Sequence, residues 1–187
     1  MKTNRKVKYT KMVLNESFLK FLAEKPLSRI TVKEICEEAD INRSTYYVHF
    51  TDPYDQLKKL ETEIMVDMAI YVDTLTEDIK QDEKRQFQII KGVLDYIFSK
   101  KHVFQVLLSK NGDFNLERDI LTYFGERMFS AEIKKIANTK EEFAFIYAST
   151  GCFGILYHWI IDEINISSEE VANMIIDFTM DIRKSNF

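Results

Sequence analysis

An all-α fold follows from three features of this 187-residue chain. Glycine (5) and proline (2) are scarce, so few positions force a helix to stop. The β-branched runs are short, and apolar residues recur at three- and four-residue spacing instead. Thr31 with Glu34, Thr139 with Glu142 and Ser167 with Glu170 form capping-box pairs, each at the start of such a stripe. These features predict about nine helices, arranged as an N-terminal three-helix head and a C-terminal helical bundle body.

The first helix is predicted from about Tyr9 to Lys25, with Val13, Phe18, Phe21 and Leu22 on its buried side, stopping before Pro26. The second begins at the Thr31 capping box and carries Val32, Ile35, Cys36 and Ala39 as its apolar stripe. Asp40 ends it, because Asp tolerates the left-handed backbone of a tight turn. Asn42 suits the N-cap of a third helix, on which Tyr46 and Phe50 lie one turn apart and face inward. Ser44, Thr45, Tyr47 and Val48 then lie away from that stripe. Two short helices joined by a tight turn make a helix-turn-helix, whose second helix enters the major groove of DNA. Small hydroxyls, a tyrosine and a valine suit phosphate oxygens and a thymine methyl better than bulk water. An ordinary helical hairpin within an all-α protein would satisfy the same spacing.

Asp52-Pro53 caps and starts a long fourth helix, to about Ile79, connecting head to body. Further helices are expected at about Glu83–Lys100, His102–Lys110 and Phe114–Ala137, the last broken near Gly125. Two more run from Thr139 to about Glu163 and from Ser167 to about Lys184. The domains are accordingly residues 1–51, DNA-binding, and 52–187, for dimerisation and effector binding.

Charge is divided along the chain. Residues 1–60 hold 12 Lys+Arg and 8 Asp+Glu, net +4, and residues 61–187 hold 14 and 22, net −8. Lys2, Arg5, Lys6, Lys8 and Lys11 all precede the first acid, Glu16. Such an arm can neutralise phosphates, although a solvated terminus would carry the same residues. Cys36 and Cys152 both fall in apolar helical patterns, so a reducing, cytoplasmic setting is expected rather than a disulfide framework. The N-terminus lacks the apolar core of a signal peptide, and the longest mostly apolar run, 151–161, is too short to span a bilayer. No membrane partner is expected.

From about Lys11 to about Leu60 the chain resembles the tetracycline-repressor-like (TetR) family of transcriptional regulators. The string Ser44-Thr45-Tyr46-Tyr47-Val48-His49-Phe50 matches the family pattern of Thr, apolar or aromatic, Tyr, variable, His, Phe. Asp55-Gln56-Leu57 follows at the expected distance, and the Thr31–Ala39 run matches as well. The resemblance implies that Thr45, Tyr47 and His49 contact the DNA backbone, that Val48 contributes to base choice, and that Tyr46 and Phe50 are core. The candidate DNA-contacting set is Thr31, Asn42, Arg43, Ser44, Thr45, Tyr47, Val48, His49 and Lys58. Two positions depart from the pattern. Asp40 replaces the usual turn glycine, and Thr51 replaces a lysine that commonly follows the Phe, a phosphate contact that Lys58 or Lys59 could take over.

Ala144, Ala148, Gly151 and Gly154 place small residues every three or four positions along one helix, and Val171, Met174, Ile175, Phe178 and Ile182 stripe the next. Both stripes would also suit an intramolecular core. In the resembled family the last two helices pair with their copies, which implies a homodimer through Ala148, Gly151, Gly154, Ile155, Met174, Ile175 and Phe178. The string Gly151-Cys152-Phe153-Gly154 ahead of Trp159-Ile160 also resembles the C-terminal domain of one subgroup. Tyr71, Phe104, Phe124, Tyr147, Tyr157 and His158 are candidates for an effector pocket, although aromatics at helical spacing also serve as plain core.

There is no glycine-rich phosphate loop, no Gly-x-Ser-x-Gly and no Cys-x-x-Cys, and the three histidines lie in no metal-binding spacing. An enzyme is therefore not expected, nor any cofactor or metal. The expected function is a DNA-binding regulator, most simply a repressor, acting as a homodimer on a roughly palindromic operator and released by a small-molecule effector. The alternative is a helical adaptor controlled by a protein partner.

Overall fold

The structure, a computed structural model, describes residues 2–77, 83–111, 114–128 and 139–184. Among these residues it contains nine α-helices, one short 3-10 turn and no strand: α1 Lys2–Glu24, the turn Leu27–Arg29, α2 Val32–Ala39, α3 Arg43–His49, α4 Pro53–Thr76, α5 Glu83–Ser99, α6 Lys101–Leu107, α7 Phe114–Met128, α8 Thr139–Ile161 and α9 Ser168–Lys184. The all-α expectation holds. The chain divides into two compact units, one of Met1–Ile64 with Gln105–Phe114 and the other of Met65–Phe104 with Asn115–Phe187. Leu57, Leu60 and Ile64 of α4, which fall in the first unit, are buried.

In the first unit, α1 buries Leu14, Phe18, Leu19 and Leu22, while Val13 and Phe21 are only half-buried. The buried face is thus rotated from the expected one, because the helices packed against α1 select among its several apolar residues. α1 also begins earlier than expected, at Lys2 rather than near Tyr9. The Thr31 capping box forms in full: Thr31 Oγ accepts from the Glu34 N–H at 3.3 Å, and the Glu34 carboxylate accepts from the Thr31 N–H at 3.0 Å. Lys25, at 2.7 Å, and the Thr31 hydroxyl and N–H hold the Glu34 carboxyl down to about 2.

Asp40 takes the left-handed conformation (φ 51°, ψ 44°). Its N–H donates to the Glu37 carbonyl and the Ile41 N–H to that of Cys36, the paired bonds of a Schellman ending. Asn42 stands at the N-cap of α3, but its side chain makes no capping bond; its backbone carbonyl accepts from the Thr45 and Tyr46 N–H groups instead. At α4 the Asp52 carboxylate accepts from the Asp55 N–H, and the Asp55 carboxylate from the Thr51 N–H, both at 2.9 Å. Buried Gln56 ties α4 to α1, donating to the Leu14 carbonyl at 3.0 Å and to Asn15 Oδ1 at 3.1 Å.

In the second unit α9 packs against α5 and α8. Gly92 lets α5 approach α4 closely, since a Cβ there would lie 3.1 Å from the Leu75 side chain. The Ser167–Glu170 capping box forms as expected, with the Ser167 N–H donating to the carboxylate at 2.8 Å. Ser168 bonds Asp95, which also pairs with Lys91 at 2.7 Å. α7 runs unbroken through Gly125 to Met128, contrary to the expected interruption; one glycine costs a helix only about 1 kcal/mol. The side chains of the Thr139–Glu142 pair, and of Ala144 and Ile182, lie outside the described residues.

Tyr46 is fully buried, and its hydroxyl has no hydrogen-bond partner among the described residues. An unsatisfied buried hydroxyl costs about 1–3 kcal/mol. Tyr46→Phe is therefore expected to stabilise the head by about 1 kcal/mol, read as a raised urea midpoint. A lowered midpoint would show that the hydroxyl is satisfied in solution.

Candidate nucleic-acid interface

Helix α3 has only seven residues, and its buried side fixes how it is displayed. Tyr46 is 0% and Phe50 2% exposed, with ring centroids 5.5 Å apart. Burial pushes the Tyr46 hydroxyl well above its ordinary pKa, so it stays neutral. With those rings held inward, Tyr47 is 57% and Val48 76% exposed on the opposite side. Asn42, Arg43 and Ser44 are exposed beside them, whereas Thr45 and His49 are half-buried. Thr31 is exposed at the start of α2, but its hydroxyl already serves the capping box; Lys58 is exposed on α4.

Two cations beside α3 have different roles. Lys59 Nζ donates to the His49 carbonyl at 2.9 Å, pairs with Asp55 at 2.9 Å and stands 5.7 Å from the Phe50 ring centre. It caps the end of α3 and is already engaged, which leaves Lys58 as the exposed neighbour. Lys11 of α1 pairs with Glu63 at 2.5 Å and lies close enough for His49 to feel its charge. The sequence placed Lys11 in the basic arm and offered Lys59 as a replacement phosphate contact, although neither was in the candidate DNA-contacting set. The i,i+4 spacing of Asp55 and Lys59 was the signal available for the second.

Burial first, then the Lys11 and Lys59 charges, lower the His49 pKa from its ordinary 6.5. At neutral pH the face therefore offers a neutral imidazole, the hydroxyls of Ser44, Thr45 and Tyr47, and the Arg43 guanidinium around an exposed valine. Hydrogen-bond donors around an apolar centre, on a helix narrow enough for a DNA groove, are the chemistry of groove recognition. A shallow polar groove of about 430 Å³ lies beside it at the α2–α3 turn, between Lys33, Glu37, Asp40 and Arg43.

Residues 84–181, just over half of the chain, match the family profile of a TetR C-terminal domain, described as a transcriptional regulator C-terminal region. The chain belongs to the TetR family of transcriptional regulators. The uncharacterized HTH-type transcriptional regulator YxbF of Bacillus subtilis (strain 168) is 19% identical over 170 residues, which are 87% of this chain but 42% of that protein. The chain thus spans well under half the length of this curated relative. A TetR transcriptional regulator from Streptococcus agalactiae 2603V shares the fold with a TM-score of 0.65 at 16% identity, over 96% of this chain and 98% of the other. The dihydroxyacetone kinase operon activator DhaS shares it with a TM-score of 0.58 at 18% identity, over 92% and 94%.

The body residues singled out in the sequence fall into several places in this TetR-family chain. Tyr71 and Phe104 are bridged by Tyr96, with ring centroids 5.9 and 6.3 Å apart, Phe104 fully buried and Tyr71 39% exposed. Tyr157 and His158 meet edge-to-face, and His158 Nδ1 lies 2.6 Å from Asp162 Oδ2. Tyr147 is 70% exposed on α8, and the Phe124 side chain lies outside the described residues. Ala148 and Ile175 are buried within the second unit, Gly154, Ile155 and Met174 are half-buried, and Gly151 and Phe178 are exposed. Cys36 and Cys152 are both free thiols. Among the described residues no group of three or more His, Cys, Asp or Glu is placed to hold a metal, and no helix is long and apolar enough to cross a membrane.

His49 gives a titration test. The folded head resists protonation of the ring more than the unfolded chain does. The stability this confers is therefore complete above pH 6.5 and is lost as pH falls through the lower folded value. NMR titration of the imidazole is expected to give a midpoint below 6.5, and Lys59→Gln is expected to move it upward by removing one opposing charge.

Proposed function

We propose that this TetR-family chain is a sequence-specific DNA-binding repressor, acting as a homodimer on a roughly palindromic operator and released by a small-molecule effector. The observation that carries this reading is the display of α3: Tyr47 and Val48 stand out while Tyr46 and Phe50 are locked in the core. Residues 1–51 are the DNA-binding domain. Arg43, Ser44, Thr45, Tyr47 and His49 hold the phosphates, with Thr31, Asn42 and Lys58 at the margins, and Val48 reads a base edge. Residues 52–187 provide dimerisation and effector binding.

The dimer face is the outer side of α8 and α9. Phe143, Ile146, Tyr147 and Phe178 are exposed there at 65%, 48%, 70% and 56%, and a Cβ on Gly151 or Gly154 would meet no described atom within 4 Å. Ile155 and Met174 line the edge of this face, with Ala148 and Ile175 supporting it from within. An apolar face of this kind, rich in small residues, suits close packing of a second helix pair. A symmetric pair would also set the spacing of two half-sites. The effector is placed in the body, where the Tyr71, Tyr96 and Phe104 rings form a continuous aromatic group. A ligand favouring one head-to-head spacing would shift the population between bound and released forms.

Fold similarity leaves the sign of regulation open, since DhaS is by its name an operon activator. Repression is the simpler reading, because a dimer seated on a promoter blocks polymerase with no further contact surface.

Selection of bound fragments from a genomic DNA library, at two salt concentrations, tests the reading directly. A recurring palindrome that survives the higher salt is expected; patternless binding lost with salt would overturn it. On the recovered site, Tyr47→Ala with His49→Ala is expected to weaken binding about equally for matched and mismatched sequences. Val48→Ala should change the preferred base at one position per half-site by about 1–3 kcal/mol. Sedimentation is expected to give twice 22.1 kDa for the wild type and the single mass for Tyr147→Asp with Phe178→Asp, with helicity unchanged. A monomeric wild type would favour instead the adaptor reading, in which the apolar face belongs to a protein partner.

A further inference from the structure

We propose that Asp55 and Lys59 are positioning residues for DNA binding: together they clasp the end of α3 to α4, and neither touches DNA. The inference rests on the DNA-binding reading above and deepens it, because it makes affinity depend on an acid beside the recognition helix.

Only Phe50, Thr51 and Asp52 separate α3 from α4. Asp55 and Lys59 stand one turn apart on α4 and close this short connection into a ring. Lys59 Nζ donates to the His49 carbonyl and to Asp55 Oδ2, each at 2.9 Å. The same carboxylate oxygen accepts from the Thr51 N–H at 2.9 Å. The last residue of α3 and the residue after Phe50 are therefore both tied to one ion pair. The base of this clasp is firm. α4 runs for 24 residues, buries Leu57 and Leu60, and is bonded to α1 through Gln56.

The buried rings of Tyr46 and Phe50 decide which side of α3 faces inward. They do less to fix its tilt at the C-terminal end, where Tyr47, Val48 and His49 stand. A hydrogen-bonded ring across that end restricts the tilt, and a surface set before binding loses less entropy on docking. Lys59 is poorly placed to hold a phosphate itself. Two of its three N–H donors are used, and its ammonium lies 5.7 Å from the Phe50 ring centre. Turning it outward would release the His49 carbonyl and leave the Asp55 carboxylate unpaired. Lys59 and the Thr51 N–H hold the Asp55 carboxyl below its ordinary pKa, so the pair stays ionised at neutral pH.

Charge alone and positioning make opposite predictions for Asp55. Removing an acid near a phosphate-binding face should strengthen DNA binding by charge alone. Removing half of a clasp should weaken it.

The test uses the full chain and the DNA site recovered by fragment selection, with affinity measured from low to moderate salt. Asp55→Ala and Lys59→Gln are each expected to weaken binding by at least about tenfold, what one hydrogen bond to a charged group is worth. The double variant should lose no more than the worse single variant, since both break one ring. Lys59→Arg, which keeps charge and reach, should restore most of the affinity. The slope of log K against log salt should keep its wild-type value in Lys59→Gln, whereas Lys58→Gln should lower it by about 0.9 per head. Tighter binding by Asp55→Ala overturns the inference and leaves the DNA-binding reading intact. So do unchanged affinity in both single variants, additive losses in the double variant, or a slope in Lys59→Gln that falls as in Lys58→Gln. A wild type that selects no site overturns both. Circular dichroism at the assay temperature checks folding, and if one single variant unfolds the other decides.

Discussion

The seating of Tyr46 and Phe50 in the core of the head is the constraint on which the interface depends. A helix of seven residues is far below the length that holds together alone in water, so α3 exists because it is packed. Burying two aromatic side chains contributes roughly 1.5–3 kcal/mol each, several times what a surface contact could offer. A roll of one residue about the helix axis would expose Tyr46 and drive Tyr47 toward the core, so a single arrangement is strongly preferred. The ends are then fixed by cheaper devices: the Schellman turn at Asp40 before the helix and the Lys59 ammonium on the His49 carbonyl after it.

Electrostatics in the head follows from which cations are already occupied. Exposed ion pairs such as Lys20–Glu38 or Lys11–Glu63 add little to stability, because solvent screens them. Their larger effect is to cancel positive potential where they stand. The lowered pKa of His49 belongs to the same pattern, since two nearby ammonium groups and partial burial oppose a further charge. At neutral pH the exposed surface of the head therefore carries permanent cations and neutral hydrogen-bond donors.

What was legible in the sequence was mostly local. The Thr31–Glu34 and Ser167–Glu170 boxes, the left-handed Asp40 and the inward pair Tyr46/Phe50 each depend on residues within five positions of one another, and each forms as read. What could not be read depends on tertiary neighbours. The i,i+4 spacing to Asp55 singles out Lys59 from Lys58, but nothing local shows that its ammonium also reaches the His49 carbonyl. Val13 and Phe21 are as apolar as Leu14 and Leu19, but packing buries the leucines more deeply. Asn42 holds the position expected of it while its backbone, not its amide, satisfies the next turn. In the body, Phe104 and Tyr147 looked alike as aromatic positions on helices, yet one is fully buried and the other 70% exposed.

Helix α8 raises the question that the protomer alone does not resolve. It is apolar on all sides, a character that fits burial all round, whereas the described residues leave part of its surface exposed. Phe153, Leu156 and Trp159 face the covered side, and Phe143, Ile146 and Tyr147 are left open with two glycines whose Cβ positions are empty. Glycine within a helix costs about 1 kcal/mol against alanine, and among the described residues no atom lies near enough to the two Cβ positions to recover that cost. A second copy would recover it. Two identical faces related by a twofold axis are self-complementary, and small residues on each let the helix axes draw close enough for the aromatics to interdigitate.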